Sequence, residues 1–301
     1  MPELPEVETI RRQLSEHLAG RTITSTRVLD PLLVDPEDPA DFARRLTGRA
    51  LREIRRTGKY LFIELDDGEA LALHLRMTGQ LLWTPGEPDE PTPYARAVLG
   101  FDDGSMVTFA DPRRFGRAWF LPAGRAARSR AWGRRTGVDA MSPGFTARSL
   151  GASLERRTAA IKALILDQRI VAGVGNIYAD EALFRARIHP RRPGGSLTQA
   201  EVRRLHRAIR DRLRMGISVG GASFDRYRDA HGGRGGMQDL FLVHRRQGEP
   251  CPRCRTIIEK GVVAQRGTYW CPRCQPLEAE VQGEADVEAQ GEAEVKVQAA
   301  C

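Results

Sequence analysis

The first ten residues, MPELPEVETI, place a proline directly after the initiator methionine and follow it with three glutamates. One interpretation is a helix start, because proline suits the first helical turn and acidic side chains favour the positive end of the helix dipole. A second interpretation concerns chemistry, since removal of Met1 would leave Pro2 with a free secondary amine. An amino-terminal amine has a pKa of about 7.7–8.0, so part of it is neutral at physiological pH and can attack an electrophilic carbon. Pro2 is therefore a candidate nucleophile, and the two interpretations are compatible.

Two C-x-x-C pairs lie near the C-terminus, and they consist of Cys251, Cys254, Cys271 and Cys274. In a reducing compartment this spacing is typical of a structural site with four thiolates, and it predicts one bound Zn²⁺ per chain. The segment QRGTYW lies between the pairs, which predicts a hairpin with Arg266 and Gly267 at its tip. An arginine held there by the metal would be placed to contact a phosphate.

Three further stretches contain residue types that bind anions or bases. AGVGNIYADE puts glycines and Asn176 at a predicted helix start, where free N–H groups and the dipole favour phosphate. DPRRFG places Arg113 and Phe115 on a tight loop, where an exposed ring would wedge between bases. The alternative for that loop is a core phenylalanine beside two solvated arginines. Lys59, in TGKYL, enters a strand, where most lysines are simply solvated.

Charge and composition favour a polyanionic partner. The 301 residues carry a formal net charge of +8, with a pI near 9.6. Residues 276–301 contain seven acidic residues and one lysine, net −6, which leaves +14 on residues 1–275. A basic body with an acidic tail is typical of nucleic-acid-binding proteins. No stretch approaches the ~18 apolar residues of a membrane span, and no signal peptide opens the chain, so we expect a cytosolic protein.

Hydrophobic periodicity predicts a β-rich N-terminal half behind one helix. Apolar residues recur at helical spacing over residues 6–18, and KYLFIELDDGEALALHLRM then alternates about a DDG turn, as in a β-hairpin. A second hairpin is predicted around FDDGSMVTFADPRRFG. Strands in runs that do not alternate with helices indicate a sandwich or a barrel.

The second half of the chain has helical periodicity. Leu154, Ile161, Leu164 and Ile165 are predicted to lie on one helix. SLTQAEVRRLHRAIRDRLRM begins with a capping box of Thr198 and Glu201 and carries an apolar face. A glycine-rich loop precedes the cysteine pairs, and the tail from residue 277 is predicted to be disordered.

Six motifs, in order over residues 2–275, resemble the formamidopyrimidine-DNA glycosylases: PELPEVE, GKYL, HLRMTG, DPRRFG, GVGNIYADEALF and QRGTYWCPRCQ. The resemblance implies an α+β protein with DNA in a cleft between its parts. Its predicted parts are an N-terminal β-sandwich catalytic domain with a leading helix (1–130), a linker (131–150), a helix–two-turns–helix DNA-binding domain (151–240), a zinc finger (241–276) and a disordered acidic tail (277–301).

The resemblance also implies roles for individual residues. Pro2 would form a Schiff base with C1′ of the damaged nucleoside, Glu3 would assist opening of the sugar, and Lys59 would act in β-elimination. Arg266 would hold a flanking phosphate and assist δ-elimination, while Glu6 and Lys162 would serve the lesion site. Met77, Arg113 and Phe115 would fill the gap left by the everted base. The implied contacts to DNA are His74, Met77, Arg96, Arg113, Arg114, Phe115, Arg157, Asn176 and His244.

The expected function is a base-excision repair glycosylase with AP lyase activity on oxidised purines such as 8-oxoguanine and formamidopyrimidines. The expected partner is damaged double-stranded DNA, bound by a monomer that is cytoplasmic and associated with the nucleoid. One alternative is an endonuclease VIII-like enzyme for oxidised pyrimidines, although PELPE favours the first reading because that branch typically carries PEGPE. Another is a DNA-binding protein that recognises lesions or ends without cutting, which would need neither Pro2 nor Lys59.

The chain departs from the family pattern in three places. His244-Arg245-Arg246 stands where many members carry Tyr-Gly-Arg, and Tyr94-Ala95-Arg96 stands where many carry His-Asp-His. The loop expected to cover the lesion, 222–237, is also divergent. These departures leave the core reaction in place and bear on which lesion is preferred.

Overall fold

Two four-stranded antiparallel sheets form the N-terminal part of the protein. The whole protein is described by a computed structural model that covers residues 1–124, 136–224 and 226–277. The strands are β1 (Ile23–Val28), β2 (Leu51–Thr57), β3 (Tyr60–Leu65), β4 (Ala70–His74), β5 (Gln80–Thr84), β6 (Ala95–Phe101), β7 (Met106–Ala110) and β8 (Arg117–Leu121). The strand order is β1-β6-β7-β5 in one sheet and β2-β3-β4-β8 in the other. Apolar residues of both sheets share one core, which is the expected sandwich.

Helix α1 (Leu4–Leu18) opens the chain, as its sequence predicts. The backbone N–H of Glu3 donates to the Glu6 carboxylate at 2.7 Å, so an acidic side chain satisfies one of the free donors at the helix start. The apolar face of α1 is buried in the sandwich core through Val7, Ile10, Leu14 and Leu18. A second short helix, α2 (Pro39–Leu46), begins at Asp38, whose side chain accepts two backbone hydrogen bonds.

The alternation along the predicted hairpin is confirmed. Strands β3 and β4 pair antiparallel across the DDG turn, where Gly68 has a φ of 84°. Strand β3 alternates between buried and half-buried residues, whereas every residue of β4 is buried. The second face of β4 is covered because Ala70 and Ala72 pack with Leu121 in a small separate cluster.

Four helices form the next part: α3 (Ala147–Leu154), α4 (Ile161–Leu166), α5 (Asn176–Ala186) and α6 (Gln199–Ser218). The prediction of one helix carrying Leu154 and Ile161 is wrong. Arg156 has a φ of 59°, so the chain leaves the helical conformation after α3, and Ile161 begins a new helix. Both helices bury their apolar residues in the same core, which explains the shared periodicity. The capping box at the start of α6 is confirmed.

The cysteine pairs flank a hairpin of strands β11 (Glu259–Val263) and β12 (Arg266–Trp270). The prediction that Arg266 and Gly267 form its tip is off by two residues. Ala264 and Gln265 make the turn, and both have positive φ, as a two-residue hairpin turn of type I′ requires. Arg266 is therefore the first residue of β12 and is exposed beside the tip.

A buried ionic contact joins the sandwich to the helical part. Strands β9 (Val138–Asp139) and β10 (Val171–Ala172) form a small parallel ladder. The Arg56 guanidinium donates to Asp139 Oδ2 at 2.5 Å and to Glu8 Oε2 at 3.1 Å. Asp139 also accepts the Gly58 N–H at 2.6 Å, so one carboxylate holds the β2–β3 turn against β9.

The predicted linker at 131–150 lies partly outside the described residues, and the predicted acidic tail at 277–301 lies outside them from residue 278 onward. Within the described part of the chain, none of the helices is long and apolar enough to cross a membrane.

We expect Asp139→Asn to lower the free energy of unfolding by about 3 kcal/mol, because it leaves the nearly buried Arg56 with a single carboxylate partner. Urea unfolding at neutral pH measures the effect. Asp211→Asn is the matched control, since its pair with Arg214 is solvent-exposed and should contribute less than about 0.5 kcal/mol. Equal losses in both variants would contradict a special role for the buried contact.

Candidate active site

Pro2 lies buried against an open cavity of about 370 Å³. The other lining residues are Met1, Met77, Thr78, Gly79, Arg113, Ile177, Ala222, Phe224, Arg226, Tyr227 and Arg245. They come from the N-terminus, the loop after β4, the loop before β8, the start of α5 and the segment after α6. Pro2 is thus brought together with Met77 and Arg113, as predicted. A larger cavity of about 580 Å³ lies between α3 and α6, and none of the predicted site residues lines it.

Glu3 is held at the N-terminus of α5. Its carboxylate accepts the N–H of Ile177 at 3.0 Å and that of Tyr178 at 3.4 Å, in the position where free amides and the helix dipole favour an anion. Gly175 lets the carboxylate approach, since a Cβ there would lie 2.2 Å from Glu3 Cδ. The glycine turn at the start of α5 therefore binds an anion, and that anion is the protein's own Glu3.

Glu6 is almost completely buried and accepts three hydrogen bonds. Oε1 accepts the Tyr178 hydroxyl at 2.9 Å and the Ala222 N–H at 2.7 Å, while Oε2 accepts the Glu3 N–H. Burial, reinforced by the charge of Glu3, raises the pKa of Glu6 to about 7. Because Ala222 follows α6, Glu6 also fixes where the loop at 222–237 begins.

Lys59 follows the glycine of the β2–β3 turn and is buried beside the same carboxylates. Burial lowers the pKa of the Lys59 amine, and the positive charge of Arg266 acts in the same direction. The charges of Glu3 and Glu6 oppose that shift. The structure therefore brings Lys59 close to both glutamates, and its amine loses its proton more readily than a solvated lysine does.

His74 lies at the end of β4, next to Lys59, and is neutral. Its Nδ1 accepts the Arg76 N–H at 2.9 Å, which leaves Nε2 as the protonated nitrogen of the ring. Burial, with the nearby charges of Arg76 and Lys59, lowers the pKa of His74 to about 3. A neutral ring of this tautomer offers one N–H donor.

The loop between β7 and β8 is shaped by Asp111. Its carboxylate accepts the N–H groups of Arg113, Phe115 and Gly116 at 2.8–3.1 Å. The Thr78 hydroxyl also donates to it at 2.5 Å, which ties this loop to the one that carries Met77. The Phe115 ring is 46% exposed, so it is an exposed aromatic and not a core residue. The Arg113 guanidinium lies over that ring at 4.7 Å.

Two predicted DNA contacts are engaged within the protein. Arg114 pairs with Asp30 through two hydrogen bonds of 2.7 and 2.9 Å. Arg96 donates to the Asp111 carbonyl at 2.8 Å. Both arginines therefore support the loop that presents Phe115. The predicted contact Arg157 is exposed on the turn after α3 and does not line the Pro2 cavity.

Asn176 and Lys162 meet at the backbone of the zinc-finger hairpin. Asn176 Nδ2 donates to the Gly267 carbonyl at 2.9 Å, and Lys162 Nζ donates to the same carbonyl at 3.2 Å. Lys162 is fully buried, and its amine is satisfied there because it also pairs with Asp180 at 2.6 Å and donates to Thr268 at 2.8 Å. Burial lowers the pKa of Lys162. The structure therefore places Lys162 against the backbone of β12, and Lys162 does not line the Pro2 cavity.

His244 is buried beside the same acidic residue, since its Nδ1 lies 2.8 Å from Asp180 Oδ2. Its backbone N–H donates to Glu181 at 3.0 Å. Sequence reasoning did not single out Asp111, Asp180 or Glu181. The signal for the last two is an adjacent pair of acids within GNIYADEALF, whose helix is buried on nearly every side.

The four predicted metal ligands come together beneath the β11–β12 hairpin. The sulfur atoms of Cys251, Cys254, Cys271 and Cys274 all lie within 4.8 Å of one another, and the shorter separations are 3.4–3.9 Å. Zinc bound to four thiolates at about 2.3 Å needs sulfur atoms roughly 3.8 Å apart. The set therefore fits one structural zinc ion. Cys301 lies outside the described residues.

Three family models match consecutive parts of the chain. Residues 1–118 match the formamidopyrimidine-DNA glycosylase N-terminal domain, residues 136–227 match its H2TH domain, and residues 248–277 match the zinc finger found in FPG and IleRS. A formamidopyrimidine-DNA glycosylase from Chloroflexus aurantiacus is 46% identical over 277 residues, which cover 91% of this chain and 98% of the relative.

Solved structures agree with the sequence matches. The MutM (FPG) protein of Thermus thermophilus is 41% identical with a TM-score of 0.81, over 92% of this chain and all of that one. A variant of the Lactococcus lactis FPG in complex with Fapy-dG-containing DNA is 35% identical with a TM-score of 0.83, over 91% of this chain and all of that one. Since these similarities extend over nearly the whole described chain, the protein belongs to the formamidopyrimidine-DNA glycosylase family.

Proposed function

We propose that the protein excises oxidised purines from duplex DNA and then cleaves the strand, using the amine of Pro2 as its nucleophile once Met1 is removed. Membership of the family makes it a base-excision repair glycosylase. The observation that carries the nucleophile assignment is the position of Pro2 on the wall of a cavity that Met77 and Arg113 also line. Removal of Met1 would leave Pro2 with a secondary amine at the cavity.

The glycosylase step follows from the chemistry of that amine. Its lone pair would attack C1′, the bond between C1′ and the base would break, and the base would leave with a proton. Opening of the sugar would then give an iminium between Pro2 and C1′. Glu3 is placed to move the proton that sugar opening requires, because its carboxylate is fixed by two amides directly beside Pro2.

Strand cleavage follows from the iminium, which is an electron sink. Removal of a C2′ proton would expel the 3′ phosphate by β-elimination, and a second elimination would expel the 5′ phosphate. Lys59 is suited to the first of these steps, because burial lowers the pKa of its amine, which therefore reaches the proton-accepting neutral form more readily than a solvated lysine does. Arg266, exposed at the start of β12, would neutralise a flanking phosphate and assist the second.

The remaining surface residues divide into wedges and clamps. Met77, Arg113 and Phe115 project from two loops tied together by Asp111, so they would fill the space left by an everted base. Glu6 would hold in place the residues beneath that lesion site. The N–H of the neutral His74 ring would donate to an oxygen of the DNA backbone. Zinc bound to the four cysteines would supply folding free energy to the hairpin that carries Arg266.

Lys162, Asn176 and His244 would act indirectly, by supporting the hairpin that carries Arg266. Each contacts α5 or the backbone next to Arg266, so their loss should displace the phosphate clamp. Arg96 and Arg114 would likewise act through the Phe115 loop, and Arg157 is exposed for a contact with the DNA backbone. We further propose a monomer that acts in the cytoplasm on nucleoid DNA.

Pro2 is tested by trapping the iminium with borohydride on a duplex that contains 8-oxoguanine. The native protein should form a covalent adduct, and Pro2→Gly should form much less of it. A protein with an uncleaved N-terminal tag should form none, and protease removal of that tag to free Pro2 should restore trapping. Undiminished trapping by the tagged protein would rule out the Pro2 amine, and absence of excision by every form would favour a protein that binds lesions without cutting.

Glu6 should make stability fall as pH rises from about 4.5 to about 7. In the folded protein Glu6 keeps its proton up to about pH 7, whereas the unfolded chain loses it near 4.5. The folded state thus binds the extra proton in this range, and the change amounts to about 3 kcal/mol. Urea unfolding between pH 4.5 and 8 measures it. Glu6→Gln should remove this contribution, whereas Glu16→Gln, an exposed site on the same helix, should retain it; an unchanged profile in Glu6→Gln would contradict the shift.

Salt dependence should separate the clamp from the wedge. Arg266→Ala should reduce the slope of log affinity against log salt by about one contact, because a phosphate contact releases a counterion. Phe115→Ala should leave the slope unchanged and should slow excision from duplex more than cleavage of a preformed abasic site. Equal slowing on both substrates would argue against a wedge.

A further inference from the structure

Arg245 is an exposed arginine on the wall of the Pro2 cavity. Its φ is 59°, a left-handed conformation that costs free energy for any residue with a Cβ. Glycine adopts this conformation without strain, so the position would be easier to fold with glycine. The conformation alone assigns no role to Arg245, since Arg156 has the same φ of 59° on an exposed turn.

The guanidinium of Arg245 stacks on Phe224, with its central carbon 4.0 Å from the ring centroid. Phe224 also lines the cavity and lies in the loop at 222–237. The ring is tilted against Phe241 at 5.3 Å, so it is held from a second side. Stacking on an aromatic face leaves the N–H groups of a guanidinium free to donate hydrogen bonds in the plane of the guanidinium.

No hydrogen bond or ion pair engages the Arg245 guanidinium among the described residues. The neighbouring Arg246, by contrast, pairs with Glu249 at 2.7 Å and donates to two backbone carbonyls. Arg245 thus presents a planar fork of donors at the cavity. Such a fork matches an acceptor that offers two oxygens, or an oxygen and a nitrogen, on one edge.

We infer that Arg245 is a specificity-determining residue, which donates hydrogen bonds to the carbonyl-bearing edge of an everted oxidised purine and holds Phe224 over it. This inference rests on the proposed function, because the base can enter the cavity only when C1′ lies at Pro2. An abasic site has no base, so Arg245 contributes to excision and not to cleavage of a preformed abasic site. A DNA phosphate is the competing acceptor, and it would be bound equally on both substrates.

The test compares Arg245→Gly, Arg245→Lys and Phe224→Ala under single-turnover conditions. One substrate is a duplex with 8-oxoguanine, and the other is the same duplex with a preformed abasic site. Arg245→Gly should slow excision on the order of tenfold, as expected for a lost charged hydrogen bond, and should change abasic-site cleavage less than twofold. Its melting temperature should be equal or higher, because glycine relieves the left-handed strain.

Arg245→Lys keeps the charge but loses the planar fork. It should therefore remain as slow in excision as the glycine variant, whereas a phosphate contact would be largely restored by lysine. Phe224→Ala should slow excision in the same direction, because the guanidinium loses its support. Arg156→Gly is the matched control: it relieves the same φ of 59° on an exposed turn outside the cavity, and its excision rate should equal that of the unmodified protein.

The possible outcomes are distinct. Excision by Arg245→Gly at the unmodified rate would overturn the inference, as would an equal loss on both substrates with a flatter salt dependence, which would indicate a phosphate contact. A borohydride adduct with abasic DNA in the unmodified protein shows that the Pro2 chemistry is intact in either case. Failure of that adduct would overturn the proposed function itself.

Discussion

The first turn of α5 fixes the geometry of the whole site. Its free amides hold the Glu3 carboxylate, the Tyr178 hydroxyl holds Glu6, and the Asn176 side chain holds the Gly267 carbonyl beside Arg266. The N-terminus of the chain and the zinc-finger hairpin are therefore both held by the same three residues, Asn176, Ile177 and Tyr178. This arrangement fixes the position of Pro2 relative to Arg266, because all of these contacts are made by the first turn of one helix.

The site concentrates buried charge, and this has an energetic cost. Two glutamates lie close together with a lysine, and burial raises the pKa of Glu6 and lowers that of Lys59. Each of these groups would be more stable in water. The sandwich core and the Arg56–Asp139 contact must offset the free energy that it costs to bury these groups, since they hold the two halves of the protein together around the carboxylates.

Local sequence predicted the elements whose causes are local, such as α1, the β3–β4 alternation, the capping box of α6 and the zinc ligands. It failed where a single backbone conformation interrupts the periodicity and where distant segments decide the outcome. The break after α3 depends on a left-handed Arg156, and the burial of Lys162 depends on Asp180 and Thr268, which lie 18 and 106 residues further along the chain. Spacing cannot reveal such pairings. The glycine turn before α5 was predicted to favour a phosphate, whereas the group that its amides hold in the structure is the carboxylate of Glu3, which lies far from it in the sequence.

The departures at 244 and 245 concern two different surfaces of one strained turn. His244 points inward and contacts Oδ2 of Asp180. The other carboxylate oxygen of Asp180 pairs with the amine of Lys162. It therefore belongs to the framework that supports Gly267 and Arg266. Arg245 points toward the Pro2 cavity, where it stacks on Phe224. Because consecutive residues face opposite sides, a contact with the base and the support for Arg266 would come from adjacent positions. Under the proposed function, substrate preference and strand cleavage would therefore be separable in this fold, even though the residues responsible are adjacent in sequence.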